Sequence, residues 1–103
     1  MALLYICEYS DEAQTVRGAA PAAQENAQTL DQTPVVIGAG SLQSAAFAAT
    51  TVIVRIHTDA ICSIDFGTNP TATPGTKRMN AGDTEYFGVP LNGAYKVAVI
   101  ANT

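Results

Sequence analysis

Hydrophobic and polar residues alternate in short runs through the C-terminal half of the chain. Val52, Val54 and Ile56 fall on one side of residues 51–57, and Ile53, Arg55 and His57 on the other. A period of two with β-branched residues predicts strands half buried on one face. Residues 61–66 repeat the pattern, with Cys62, Ile64 and Phe66 opposite Ser63 and Asp65, and further short runs cover 77–80, 84–89 and 95–101. Between them lie turn signals: Thr58–Ala60 and Pro90–Gly93 as hairpin connections, Ala81–Asp83 as a tight turn, and a loop over 67–75 with two Pro and two Gly.

The N-terminal half is less regular. Residues 2–9 read as a first strand with little polar character on either side, which predicts cover on both faces. From Ser10 to Gln28 the chain turns to Ala, Gln, Glu and Gly and loses both the 2.0 and the 3.6 period. This predicts a long loop or arm, with one or two helical turns starting at Pro21 as the alternative to an extended segment. Thr29–Ile37 is a strand interrupted at Thr33-Pro34, which implies an edge position or a bulge, Gly38–Gly40 is a turn, and Leu42–Ala48 is a further strand. Seven or eight strands at roughly ten-residue spacing predict an all-β protein, an antiparallel β-sandwich or jelly-roll-like domain. In domain terms this places an N-terminal strand and extended arm at 1–28 and the sandwich core at 29–103.

Composition narrows what such a domain does. Of the 103 residues 48% are hydrophobic, but 18 are Ala, so Val, Ile, Leu and Phe supply only 23 side chains for a thin two-layer core. Charged residues make up 14% and the net charge is −4, well below the charged share of an average soluble domain, about 25%. A surface of Ala, Thr, Gln, Ser and Asn loses little on being covered by another protein. The five cations, Arg17, Arg55, Lys77, Arg78 and Lys96, form no patch, which argues against nucleic acid. Glu8 ends the apolar run Ala2–Cys7 before it reaches the length of a signal or membrane segment. Cys7 and Cys62 have no CxxC companion and read as two thiols of a protein made in a reducing cytosol, a single disulfide being the alternative.

Few residues carry candidate chemistry. His57 is the only imidazole, too few for a histidine metal set, and it lacks a recognisable triad or a Gly-x-Ser-x-Gly elbow. Asp59, Asp65, Asp83 and Glu85 are oxygen donors for a calcium ion only if the fold gathers them, and no Asp-x-Asp-x-Asp-Gly loop is present. Gly38-x-Gly40 lacks the third glycine of a dinucleotide loop, and Asn69-Pro70-Thr71 has Pro where a glycosylation sequon forbids it. Tyr86, Phe87 and Tyr95 read as mostly core, with about one ring facing outward. The expectation is a non-enzymatic protein with no catalytic, cofactor-binding or metal-binding residues.

Three stretches taken together carry a resemblance: Ile64–Thr73 (IDFGTNPTAT), Met79–Pro90 (MNAGDTEYFGVP) and Lys96–Ile100 (KVAVI). A strand ending in Phe-Gly, a Pro/Thr loop, an Ala-Gly-Asp turn into Glu-Tyr-Phe and a closing strand resemble small structural proteins of tailed bacteriophages. Size, low charge and an Ala/Thr-rich surface make the likeness strongest to capsid decoration, or cement, proteins. The resemblance implies a virion component on the capsid exterior, synthesised in the host cytoplasm. It implies major capsid protein as partner, a homo-oligomeric state with a trimer favoured, no nucleic acid and no membrane. The rival reading is a head-fibre, tail or baseplate component that binds a receptor or glycan.

Overall fold

Val54, Ile56 and Thr58 are buried while Arg55 and His57 between them are half-buried, so the alternation in the sequence becomes the two faces of one strand. The computed structural model describes residues 1–15, 18–23, 25 and 29–102, with backbone alone over 12–15 and 18–23. The strands are β1 (Leu3–Tyr9), β2 (Glu12–Thr15), β3 (Gly18–Ala23), β4 (Leu30–Asp31), β5 (Val35–Val36), β6 (Leu42–Gln43), β7 (Ile53–Thr58), β8 (Cys62–Gly67), β9 (Lys77–Met79), β10 (Thr84–Gly88) and β11 (Lys96–Ala101). The described residues contain no helix, and so none that is long and apolar enough to cross a membrane.

Nine of these strands form a sandwich-like pair of antiparallel sheets. The first sheet runs β10-β7-β1-β4, with β5 also on β1, and the second runs β6-β11-β8-β9. Leu4, Ile6, Val54 and Ile56 from the first sheet meet Cys62, Ile64, Val97 and Val99 from the second, with Val35, Ile37, Phe47 and Met79 closing the core. Full burial of a side chain such as Ile56 or Val97 contributes about 1.5–3 kcal/mol, so a thin layer of β-branched residues suffices. Phe66 lies 4.9 Å from Phe87 across the sheets and 6.5 Å from Phe47, forming an aromatic cluster beside this core.

The turns lie where the sequence places them, but three lead elsewhere than expected. Asp59–Ile61, after β7, and Val89–Tyr95, before β11, are not hairpins, and residues 80–83 do not turn β9 back onto itself. Each carries the chain from one sheet to the other. A turn fixes a change of direction, whereas the sheet joined next is set by which side chains must be buried. The end of β7 is tied to the 81–83 turn by Thr58 N–H to Asp83 O at 3.1 Å and Gly82 N–H to Thr58 O at 2.8 Å. Gly82 adopts φ +82°, a conformation that costs little only without a Cβ.

Strand β1 is an inner strand of the first sheet, paired with β7 from Leu4↔Thr58 to Tyr9↔Ile53 and, on its other side, with β4 and β5. The sandwich therefore includes residues 3–9, the expected N-terminal strand, and the excursion from it begins only after Tyr9. Residues 12–15 and 18–23, expected in a loop, are instead paired strands, β2 with β3, Thr15 facing Gly18 and a bulge between Glu12 and Gln14. Helical turns from Pro21 are excluded over 21–23, which is strand; Gln24 and 26–28 lie outside the described residues.

Pro34 behaves as its lack of an N–H requires. It separates β4 from β5 at the sheet edge, while Gln32 N–H to Ile6 O at 3.0 Å holds the intervening chain on β1. The strand expected over 42–48 is regular only at Leu42–Gln43, because at Ser44 a side chain enters the ladder. Ser44 N–H donates to Val97 O at 2.8 Å, while Val97 N–H donates to Ser44 Oγ at 3.0 Å.

Candidate functional site

The outer faces of the two sheets differ. Over the second sheet the loop 68–76 folds back, burying Pro70 and Ala72; Ala72 N–H donates to Ser41 Oγ at 2.9 Å and Gln43 Nε2 to Pro70 O at 2.8 Å. Ser63, a polar residue on that face, is consequently fully buried and accepts a 2.7 Å hydrogen bond from Asn102 Nδ2. The first sheet leaves polar side chains exposed on its outer face, and pairing aligns them in rows. Asp31, Cys7, Arg55 and Tyr86 face one another across four strands, and Tyr5, His57 and Thr84 across three. Direct cross-strand neighbours stand about 4.5–5.5 Å apart at Cβ. The rows border an open depression of about 640 Å³ lined by Tyr5, Cys7, Asp31, Arg55, His57 and Asp59 among others.

The chemistry of this face is muted. His57 Nδ1 lies 2.7 Å from Thr84 Oγ1, and the ring stands 6.1 Å from Tyr5 at a 48° tilt. Its orienting neighbour is a hydroxyl, where a catalytic triad places a carboxylate. Burial pushes the Cys7 thiol up, the Asp31 carboxylate adds to the rise, and the Tyr9 hydroxyl opposes it. A nucleophilic cysteine is a thiolate with a lowered pKa; this one is held as the thiol. Burial also pushes the Tyr9 phenol well up, with contributions from Cys7 and Glu25. Cys62 is a second free thiol, in the core of the other sheet, pushed up by burial and Asp83 and placed 3.4 Å from Thr58 Oγ1.

No protein family, curated protein or solved structure matches this chain.

The four acids considered as calcium ligands go to different places. Asp59 borders the depression, Asp65 lies in β8, Glu85 lies in β10, and Asp83 Oδ2 accepts the Asn80 N–H at 2.9 Å to close its turn. Among the described residues no three His, Cys, Asp or Glu side chains are grouped to hold a metal ion. Gly38 belongs to the segment joining β5 to β6, its carbonyl accepting from Ala101 N–H at 2.8 Å, and Asn69 Oδ1 accepts from Gln43 Nε2 at 2.9 Å. Phe87 and Tyr95 pack against the core, while Tyr86 is 57% exposed. Of the adjacent cations, Lys77 Nζ lies 5.6 Å over the Phe87 ring and Arg78 donates to Asn80 Oδ1 at 2.8 Å.

Two residues of the depression, His57 and Asp59, stand out in the sequence as candidate chemistry. Tyr5, Cys7, Asp31 and Arg55 were not grouped with them, because their proximity is created by the β4-β1-β7 register. The sequence signal for it is that two positions on that face of β1, Tyr5 and Cys7, are large or reactive where an ordinary solvated strand carries Lys, Glu or Thr.

Proposed function

We propose that this protein is a non-enzymatic structural component of a bacteriophage virion, a decoration protein on the capsid exterior that braces neighbouring capsomers as a homo-oligomer, with a trimer favoured. The observation that supports it best is the β2–β3 hairpin, which leaves the sandwich after β1, returns at β4 and pairs with neither main sheet. A two-stranded ribbon has two open edges and is marginal alone, so it suits addition to the sheet of a neighbouring subunit or of major capsid protein. The flank where β4, β5 and β6 meet adds apolar contact area, with Leu30, Val36 and Leu42 at 44%, 39% and 49% exposure. Several modest contacts per subunit then sum through symmetry.

A head-fibre, tail or baseplate role in binding a receptor or glycan is the second reading, favoured by the exposed rings of Tyr5 and Tyr86 on the open sheet face. The test of the first reading replaces residues 11–28 by a short Gly/Ser linker and follows sedimentation with shells assembled from the major capsid protein of the same genome. The full chain is expected to sediment alone as an oligomer and to bind shells, and the shortened chain to keep its β spectrum and lose most shell binding. A monomeric full chain that ignores shells overturns the proposal, as does unchanged binding by the shortened chain.

A further inference from the structure

The geometry points to a saccharide site on the outer face of the first sheet, taking a neutral hexopyranose against Tyr5, Arg55 and His57. It deepens the glycan-binding reading and is independent of decoration, which uses the hairpin and Leu30, Val36 and Leu42, none of which lines the depression.

Polar groups without partners mark the site. Gln32, at the wall of the depression, has its amide engaged: Nε2 donates to Glu8 Oε2 at 2.8 Å and to Ala45 O at 3.2 Å, and Oε1 accepts from Ala45 N–H at 3.2 Å. By contrast the Arg55 guanidinium, half-buried in the middle of the sheet, has no hydrogen-bond or ion-pair partner among the described residues; neither do the Tyr5 hydroxyl and the Asp59 carboxylate. His57 uses Nδ1 on Thr84, which leaves Nε2 for a ligand. Up to five guanidinium donors, a phenol, an imidazole nitrogen and a carboxylate acceptor therefore border one depression with no partner among the described residues to satisfy them.

The mixture of charge selects the ligand class. An anion that approaches Arg55 meets Asp31 and Asp59 at the same depression, and a cation drawn to the two acids meets Arg55. A neutral molecule with several hydroxyls, each donating and accepting, satisfies both kinds of group. A pyranose also has an apolar C–H face, and the 39% exposed Tyr5 ring, set at a fixed tilt against His57, offers the matching surface. The volume of about 640 Å³ falls within the usual range for small-ligand sites. Tyr5, Arg55 and His57 stand on paired strands of a sheet, so the site is preformed.

The test titrates the full, isotopically labelled chain with glucose-, galactose- and mannose-based hexasaccharides and with an oligogalacturonate, following backbone amide shifts. At least one neutral hexasaccharide is expected to shift residues around Tyr5, Arg55 and His57 in a saturable way. Tyr5→Ala and Arg55→Ala are each expected to weaken it by about tenfold or more, and Tyr5→Phe, which keeps the ring, by less than about threefold. Leu91→Ala, at a 66% exposed residue outside the depression, should leave binding unchanged. Variants count only with a dispersed amide spectrum, and Arg55→Lys replaces Arg55→Ala if the latter is not folded. Binding of the acidic oligosaccharide alone overturns the neutral class, and shifts that map elsewhere or survive Tyr5→Ala overturn the site. Silence from every saccharide overturns both the site and the glycan-binding reading.

Discussion

The Thr51 hydroxyl donates a 2.7 Å hydrogen bond to Oε1 of Glu8, a buried carboxylate 43 residues earlier in the chain. The same oxygen accepts the Ala48 N–H at 2.7 Å and Oε2 accepts Gln32 Nε2 at 2.8 Å, so one side chain ties β1 to two separate connecting segments. No cation pairs with it among the described residues; three neutral donors compensate its desolvation. Glu8→Ala leaves those donors without their acceptor, and the expected loss is about 3–5 kcal/mol. Glu8→Gln keeps one good acceptor and confronts the Gln32 amide with a second amide, for a loss of about 1–2 kcal/mol. Urea unfolding measures both; equal losses would show that the acceptor oxygen Gln retains contributes nothing.

Alkaline pH is expected to destabilise the protein before its surface chemistry alone would do so. The Cys7 and Cys62 thiols are raised above their ordinary 9.0, and the Tyr9 phenol is raised above its ordinary 10.0. In each case the unfolded chain gives up its proton at lower pH than the folded protein. Their contribution is thus complete below about pH 9 and declines as pH rises through 9 and 10 and beyond. Chemical denaturation midpoints between pH 8 and 11 should fall, and Tyr9→Phe combined with Cys62→Ala should flatten the decline. An equally steep decline in that double variant would refute the assignment.

Two backbone positions give opposite expectations for the same kind of change. Gly82 has φ +82° and an added Cβ would meet nothing within 4 Å, so Gly82→Ala isolates the conformational cost, about 1–2 kcal/mol of lost stability. Ala94 is a non-glycine residue at φ +54° and is exposed. Ala94→Gly relieves a similar strain, offset in part by the freer unfolded chain, for a net gain of about 0.5 kcal/mol. Thermal unfolding of the two variants checks both signs.

What could be read from the sequence divides along the range of the interactions concerned. The buried faces of β7 and β11 follow from Val54, Ile56, Val97 and Val99 alone, because a period of two over β-branched residues has one physical meaning. The turns at 58–60, 81–83 and 90–93 are equally local. Their role as crossings between sheets is not, since nothing near Asp59 or Gly82 records that β1, at the other end of the domain, occupies the place beside β7. Burial of Ser63 was illegible for the same reason: the loop that covers it is anchored by Ser41 and Gln43. The β2–β3 hairpin escaped because Ala, Gln and Gly carry little strand preference. The depression escaped because Asp31, Cys7 and Arg55 become neighbours only through register.

The crossings between sheets also set an order for folding. The domain's earliest strand, β1, and its latest, β11, are both inner strands, one in each sheet. As the chain emerges from a ribosome, Leu4 and Ile6 wait without their main neighbour until Ile53–Thr58 has been made, and β8 waits for Lys96–Ala101. Long-range pairing of this kind folds slowly and exposes apolar strands meanwhile. A chain interrupted before Lys96–Ala101 holds all the strands of the first sheet, but its second sheet lacks the strand that joins β6 to β8, and the apolar inner faces stay open to any neighbour.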